Sequence, residues 1–103
     1  MNSAFFYDPN LGLSVKLGPN SSKDFSLDWK TERLAPNDSI ASSSWKLDPG
    51  LIKVDESTDT SAGVTTVKLS CPIVGNYVVT NVVVTNQITD EWSFMVQVRE
   101  KEA

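Results

Sequence analysis

GNYVVTNVVVTNQITDEWSFMVQVRE, residues 75–100, is the stretch on which the fold turns. Its first part, YVVTNVVVT (77–85), is β-branched almost throughout. That composition predicts a central strand covered on both sides. Its last part, EWSFMVQVRE (91–100), places Trp92, Phe94, Val96 and Val98 on one parity and Ser93, Met95, Gln97 and Arg99 on the other. Such alternation is the mark of a half-buried strand. With a turn near Asn86 to Asp90, the two parts form one antiparallel hairpin.

The same reading extends outward. DFSLDWK (24–30) sets Phe25, Leu27 and Trp29 against Ser26, Asp28 and Lys30, and VTTVKLSC (64–71) sets Val67, Leu69 and Cys71 against Thr66, Lys68 and Ser70. Weaker strands are expected at AFFY (4–7), GLSVKL (12–17), SSSWKL (42–47) and LIKV (51–54). Turn signals rich in Pro, Gly, Asn and Asp separate them: DPN (8–10), GPN (18–20), APND (35–38), DPG (48–50), SAG (61–63) and VGN (74–76). No segment keeps a helical period. About seven short strands in one domain of this length predict an all-β, immunoglobulin-like β-sandwich. Residues 23–103 would form the sandwich, and residues 1–22 an amino-terminal strand or arm. Trp45 falls where such sandwiches keep a core tryptophan, and Tyr77 where a tyrosine corner sits. Trp29, Trp92 and Phe94 complete the expected core.

Within DSIASSSWKL (38–47), Trp45 and Leu47 share a parity with Ser43, while Ser42, Ser44 and Lys46 share the other. Ile40 lies on the polar parity, so a bend or bulge must turn it inward. Truncation of a buried Trp45 to alanine is expected to cost about 3–5 kcal/mol.

Composition narrows the chemistry. The 103 residues contain no histidine and carry a net charge of −4. The imidazole general base is absent, and no basic stripe exists for nucleic acid or an anionic membrane. A nucleophile among Ser42, Ser43 and Ser44 would have only Lys46 as its base and no Gly-rich frame, so these read as exposed strand serines. DESTD (55–59) lacks the central glycine and closing glutamate of an EF-hand and reads as a solvated inter-strand loop. Cys71, the single cysteine, sits on an apolar parity as a small buried hydrophobe. The start, MNSAFFYDPN, does not read as a signal peptide. The sequence points to a non-enzyme with no catalytic, metal or cofactor site.

KDFSLDWK, DSIASSSWKLDPGL and GNYVVTNVVVTNQITDEWSF together resemble a group of small tailed-bacteriophage virion proteins, fibre–tail adaptor-like or accessory capsid proteins with an immunoglobulin-like fold. The resemblance covers roughly residues 23–100. It rests on Asp28-Trp29, Asp38, Ile40, Ser43, Trp45, Gly50, Gly75, Tyr77, Thr80-Asn81 and Glu91 to Ser93. The first twenty residues follow no pattern of the group. The resemblance implies a virion structural protein, made in the bacterial cytoplasm, that docks on other virion proteins in several copies. A fibre–tail adaptor is the leading form, and a capsid decoration protein the second. From another class, a carbohydrate-binding sandwich would need a coplanar pair of exposed rings, tested at Trp29 or Trp92. Phe5, Phe6 and Tyr7, Arg33 and the segment from Arg99 to Glu102 are the expected interface residues.

Overall fold

The structure, a computed structural model, describes residues 5–100. Among them run eight strands: β1 (Phe6–Asp8), β2 (Gly12–Leu17), β3 (Ser22–Asp28), β4 (Ile40–Leu47), β5 (Ile52–Asp59), β6 (Val64–Ser70), β7 (Gly75–Thr85) and β8 (Thr89–Val98). One helical turn, α1 (Trp29–Glu32), follows β3. A large sheet runs β1-β2-β8-β7-β4 and a small one β3-β6-β5. Neighbours are antiparallel except β2 and β8, which are parallel. The chain is thus a two-sheet β-sandwich.

The alternating strands bury the parity that their sequence marks. Phe25 and Leu27 of β3, Val67 and Leu69 of β6, and Phe94, Val96 and Val98 of β8 join one buried cluster with Val15, Leu17, Val79 and Val83. Each such side chain contributes roughly 1.5–3 kcal/mol on burial. This layer is the main source of stability.

β7 departs from expectation. It is central in its sheet, between β4 and β8, but only one face is covered. Val79, Asn81, Val83 and Thr85 are buried, whereas Val78 is 38% and Val84 40% exposed. A β-branched run satisfies strand geometry on both faces, so the sequence alone does not reveal that the outer face has no covering layer.

β3 also ends earlier than its pattern suggests. Asp28 Oδ1 accepts the Thr31 amide at 3.1 Å and caps α1, the role short acidic side chains favour at a helix start. Trp29 therefore leaves strand geometry yet stays fully buried. Ile40 is buried, and the register slips between Ile40 and Ser42 as its parity required.

DESTD is not a loop: β5 runs through it to Asp59, with its own register shift between Lys53 and Asp55. This is an edge strand, where charges are tolerated and discourage further pairing. Lys53 and Glu56 pair with each other.

The turn from β7 to β8 has no glycine because side chains replace it. Thr85 Oγ1 accepts the Gln87 and Ile88 amides at 3.1 and 2.9 Å and donates to Asp38 Oδ2 at 2.6 Å. Asp38 Oδ1 accepts the Asn86 amide at 3.2 Å. Among the described residues, no non-glycine residue takes a positive φ.

The start of β7 is a corner. Tyr77 Oη donates to the Ile73 carbonyl at 2.8 Å, and the Cys71 thiol reaches the same carbonyl at 3.4 Å. Gly50, at φ +105°, lies against the ring, and a Cβ there would come within 2.9 Å of Tyr77 Cε2. The neighbouring Cys71 thiol and then burial hold the Tyr77 phenol above its ordinary value. Its folded pKa exceeds the unfolded one, so its contribution is present below the ordinary tyrosine range, about 10. It is lost as pH rises through the folded value. Alkaline difference spectroscopy should show a phenol ionising late, and Tyr77→Phe should remove that step. Persistence of the late step in the variant would place it elsewhere.

Candidate docking surface

The residues that stand out in the sequence divide into an interior lock and an exposed rim. At the centre of the lock, Trp29 Nε1 donates to Asn81 Oδ1 at 2.8 Å and to Thr65 Oγ1 at 3.2 Å. Thr65 Oγ1 donates to Asn81 Oδ1 at 2.7 Å. The Asn81 amide donates to Ser43 Oγ at 2.8 Å and to the Ser44 carbonyl at 2.9 Å. Trp29 and Asn81 are both fully buried. One asparagine thus ties α1 and β6 in one layer to β4 in the other. Buried polar groups are tolerated when satisfied in this way.

Other motif residues serve the same end. Thr80 and Ser93 hydroxyls pair across β7 and β8 at 2.7 Å. Asp48 Oδ2 accepts the Val78 amide at 2.8 Å and extends the β4–β7 pairing past Leu47. Of the triplet, Ser43 is held in the lock while Ser42 and Ser44 face outward. Lys46, next to them in sequence, has its Nζ 3.6 Å from Glu91 Oε2.

The buried tryptophan of this sandwich is Trp29. Trp45 is half-buried on the core margin, with Phe94 edge-on at 6.4 Å. Trp92 is also half-buried, its ring perpendicular to Trp29 at 5.2 Å. The Arg33 guanidinium covers its outer side at 4.6 Å. Trp29 and Trp92 therefore offer no coplanar exposed pair to a sugar. Phe94 is buried and Tyr77 half-buried.

Of the expected interface residues, Phe5, Tyr7 and Arg33 line one groove, and Phe6 and Arg99 are not among its lining residues. Phe5 is half-buried and meets Phe94 edge-on at 5.1 Å. Phe6 is on the opposite parity, under Lys16 Nζ at 5.6 Å. Tyr7 is 81% exposed, which makes it the one strongly exposed aromatic among the described residues. Arg33 donates to the Glu91 carbonyl at 3.1 Å and lies 3.8 Å from Asp90. Arg99 donates to the Gly75 carbonyl at 3.1 Å and to Asn76 Oδ1 at 2.6 Å. Residues 1–4 and 101–103, including Glu102 of the expected interface, lie outside the described residues.

A groove of about 390 Å³ opens on the side where β1 and β3 are the outer strands of their sheets. Phe5, Tyr7 and Leu13 line it from the large sheet, and Leu27, Asp28 and Glu32 from the small-sheet side. Arg33 and Trp92 close one end. Sequence reasoning named Phe5, Tyr7 and Arg33 as interface residues but not Asp28 or Glu32. Both belong to the helical turn, Asp28 as its cap and Glu32 as its last residue.

Asp8 holds the hairpin that carries Tyr7. Its Oδ1 accepts the Asn10 and Leu11 amides at 2.8 and 3.1 Å, and Oδ2 accepts Gln97 Nε2 at 3.1 Å. The Asn10 amide is the main cause that lowers its pKa. The folded value lies below the unfolded one, so this restraint weakens as pH falls through the folded value.

A sandwich with a polar lock inside and open strand edges outside defines a small all-β structural module. The chain belongs to the Gp77 family, described as "Podophage GP4 fiber-tail adaptor protein gp77", whose family model matches residues 18–97. A search of curated protein sequences found no match. Among solved structures, the cysteine protease inhibitor EhICP2 from Entamoeba histolytica is similar in fold. The TM-score is 0.51 at 10% identity, over 84% of this chain and 85% of that one. That likeness concerns the fold alone.

Proposed function

We propose that the chain is an immunoglobulin-type module that joins the phage tail to its fibres by docking on other virion proteins, several copies to a particle. Membership of the fibre–tail adaptor family carries this reading. The strand pairing supports the immunoglobulin type. β3-β6-β5 matches the B, E and D strands, and β8-β7-β4 matches G, F and C. Tyr77 supplies the corner at the start of F. In this reading residues 23–103 are the sandwich domain and residues 1–22 its amino-terminal strand or arm, with β1 and β2 extending the large sheet and Tyr7 as a contact. Arg33 closes one end of the groove beside that contact, and Arg99 is tied to Gly75 and Asn76 elsewhere on the sandwich. A net charge of −4 suits protein partners better than nucleic acid or an anionic membrane. The protein is made in the host cytoplasm and joins the particle at assembly.

Symmetry separates a tail adaptor from a capsid decoration protein. A tail ring holds copies on the order of a dozen, and a shell on the order of hundreds. Quantitative mass spectrometry of purified particles, with electron cryomicroscopy to locate the density, should find the smaller number at the tail–fibre junction. The larger number, spread over the head, would establish decoration instead. Absence from washed particles would defeat both.

A further inference from the structure

The two layers of the sandwich do not match: five strands stand over three. The inner face of β1 and β2 extends past β3, the last strand of the small sheet. Tyr7 and Leu13 are register partners there, on the parity that Phe5 uses to reach Phe94. The groove of about 390 Å³ lies between that overhang and β3.

The free edges also differ. β4 and β5 are each broken by a register shift, and β1 has three residues. β3 pairs with β6 in unbroken register from Ser22 to Asp28, and among the described residues nothing pairs with its other side. An unbroken edge strand offers a row of backbone donors and acceptors to an incoming strand.

We infer that one extended segment of another virion protein adds to the β3 edge and fills the groove between β3 and the β1–β2 overhang. This rests on the reading of the chain as a docking module. Charge narrows the segment further. Asp28 and Glu32 face the groove beside the exposed Tyr7 ring, and neither forms an ion pair among the described residues. Arg33 is engaged with Asp90, Glu91 and the Trp92 ring. Two carboxylates beside an aromatic face suit a guanidinium or ammonium group. The segment therefore alternates apolar side chains, which enter the groove, and carries an Arg or Lys where it passes α1.

The test uses assembled particles. A photo-crosslinking benzoylphenylalanine replaces Tyr7, and a second particle carries it at Ser44 on the opposite, outer face of the large sheet. Mass spectrometry of crosslinked peptides from the first should give a segment of a different virion protein with that alternation and a basic residue. Glu32→Lys should keep the wild-type circular dichroism spectrum and lower incorporation about tenfold, as loss of an interface anchor does. Crosslinks from position 7 to another copy of this chain, to its own residues 1–4, or to nothing would overturn the inference. So would normal incorporation of Glu32→Lys. If the wild-type protein is missing from the particle, the docking reading itself has failed.

Discussion

Trp29→Ala should lower unfolding stability by about 3–5 kcal/mol, the range for truncating a buried aromatic, and it should exceed the cost of Trp45→Ala. Trp29 has no exposed surface. It packs perpendicular to Trp92 and supplies the donor shared by Asn81 and Thr65. Its removal leaves a cavity and an asparagine oxygen with one donor fewer. Trp45 is half-buried on the margin of the same core, so its truncation is partly filled by solvent. Trp29→Phe separates the two contributions. It keeps most of the ring but not the donor, and should cost roughly 1–3 kcal/mol. Urea midpoints at constant slope measure all three. Equal costs for Trp29→Ala and Trp45→Ala would show that the lock contributes little.

Asn81→Asp tests the other half of the lock and should produce a pH-dependent loss. The replacement matches in shape, but its second oxygen would point at the Ser44 carbonyl and the Ser43 hydroxyl, where the amide now donates. A carboxylate with no exposed surface is held neutral by burial, so its folded pKa rises above the unfolded value of about 3.9. The native state then binds the extra proton. The variant is closest to wild type below that unfolded value and loses stability as pH rises towards the folded one. At neutral pH the deficit should reach several kcal/mol, the effective penalty for an unpaired buried charge. Asn81→Ala should cost roughly 2–4 kcal/mol with no such dependence, since each stranded buried partner costs about 1–3 kcal/mol. Chemical denaturation of the three proteins between pH 4.5 and 7.5 decides the matter. Parallel pH profiles for wild type and Asn81→Asp would mean that water reaches position 81.

The lock gathers several of the motif residues in the interior of the sandwich. Trp29, Ser43 and Asn81 meet at one point inside the sandwich, and Asp38 clips the last turn. Asp48 and Tyr77 shape the connections on either side of β7. A buried polar cluster accepts few substitutions, because every member must find its partner. Tyr7 and Glu32 lie on the surface instead, where strand periodicity carries no mark of what a side chain meets.

Alternation decided the strands because a strand buries every second residue. DFSLDWK, VTTVKLSC and EWSFMVQVRE each declare a face, and the parity of Ile40 required the bulge that β4 contains. The absence of histidine and the acidic balance were equally plain in composition. Three features needed the tertiary structure. The outer face of β7 is bare because a Val-rich strand reads alike whether a layer lies over it or not. Trp29 rather than Trp45 fills the centre, where the cap at Asp28 turns the chain two residues before the strand pattern ends. The groove exists because five strands lie over three. Local periodicity specifies which side of a strand is apolar. Which strands stand opposite one another is set by long-range packing, and so is the place where the layers leave a groove.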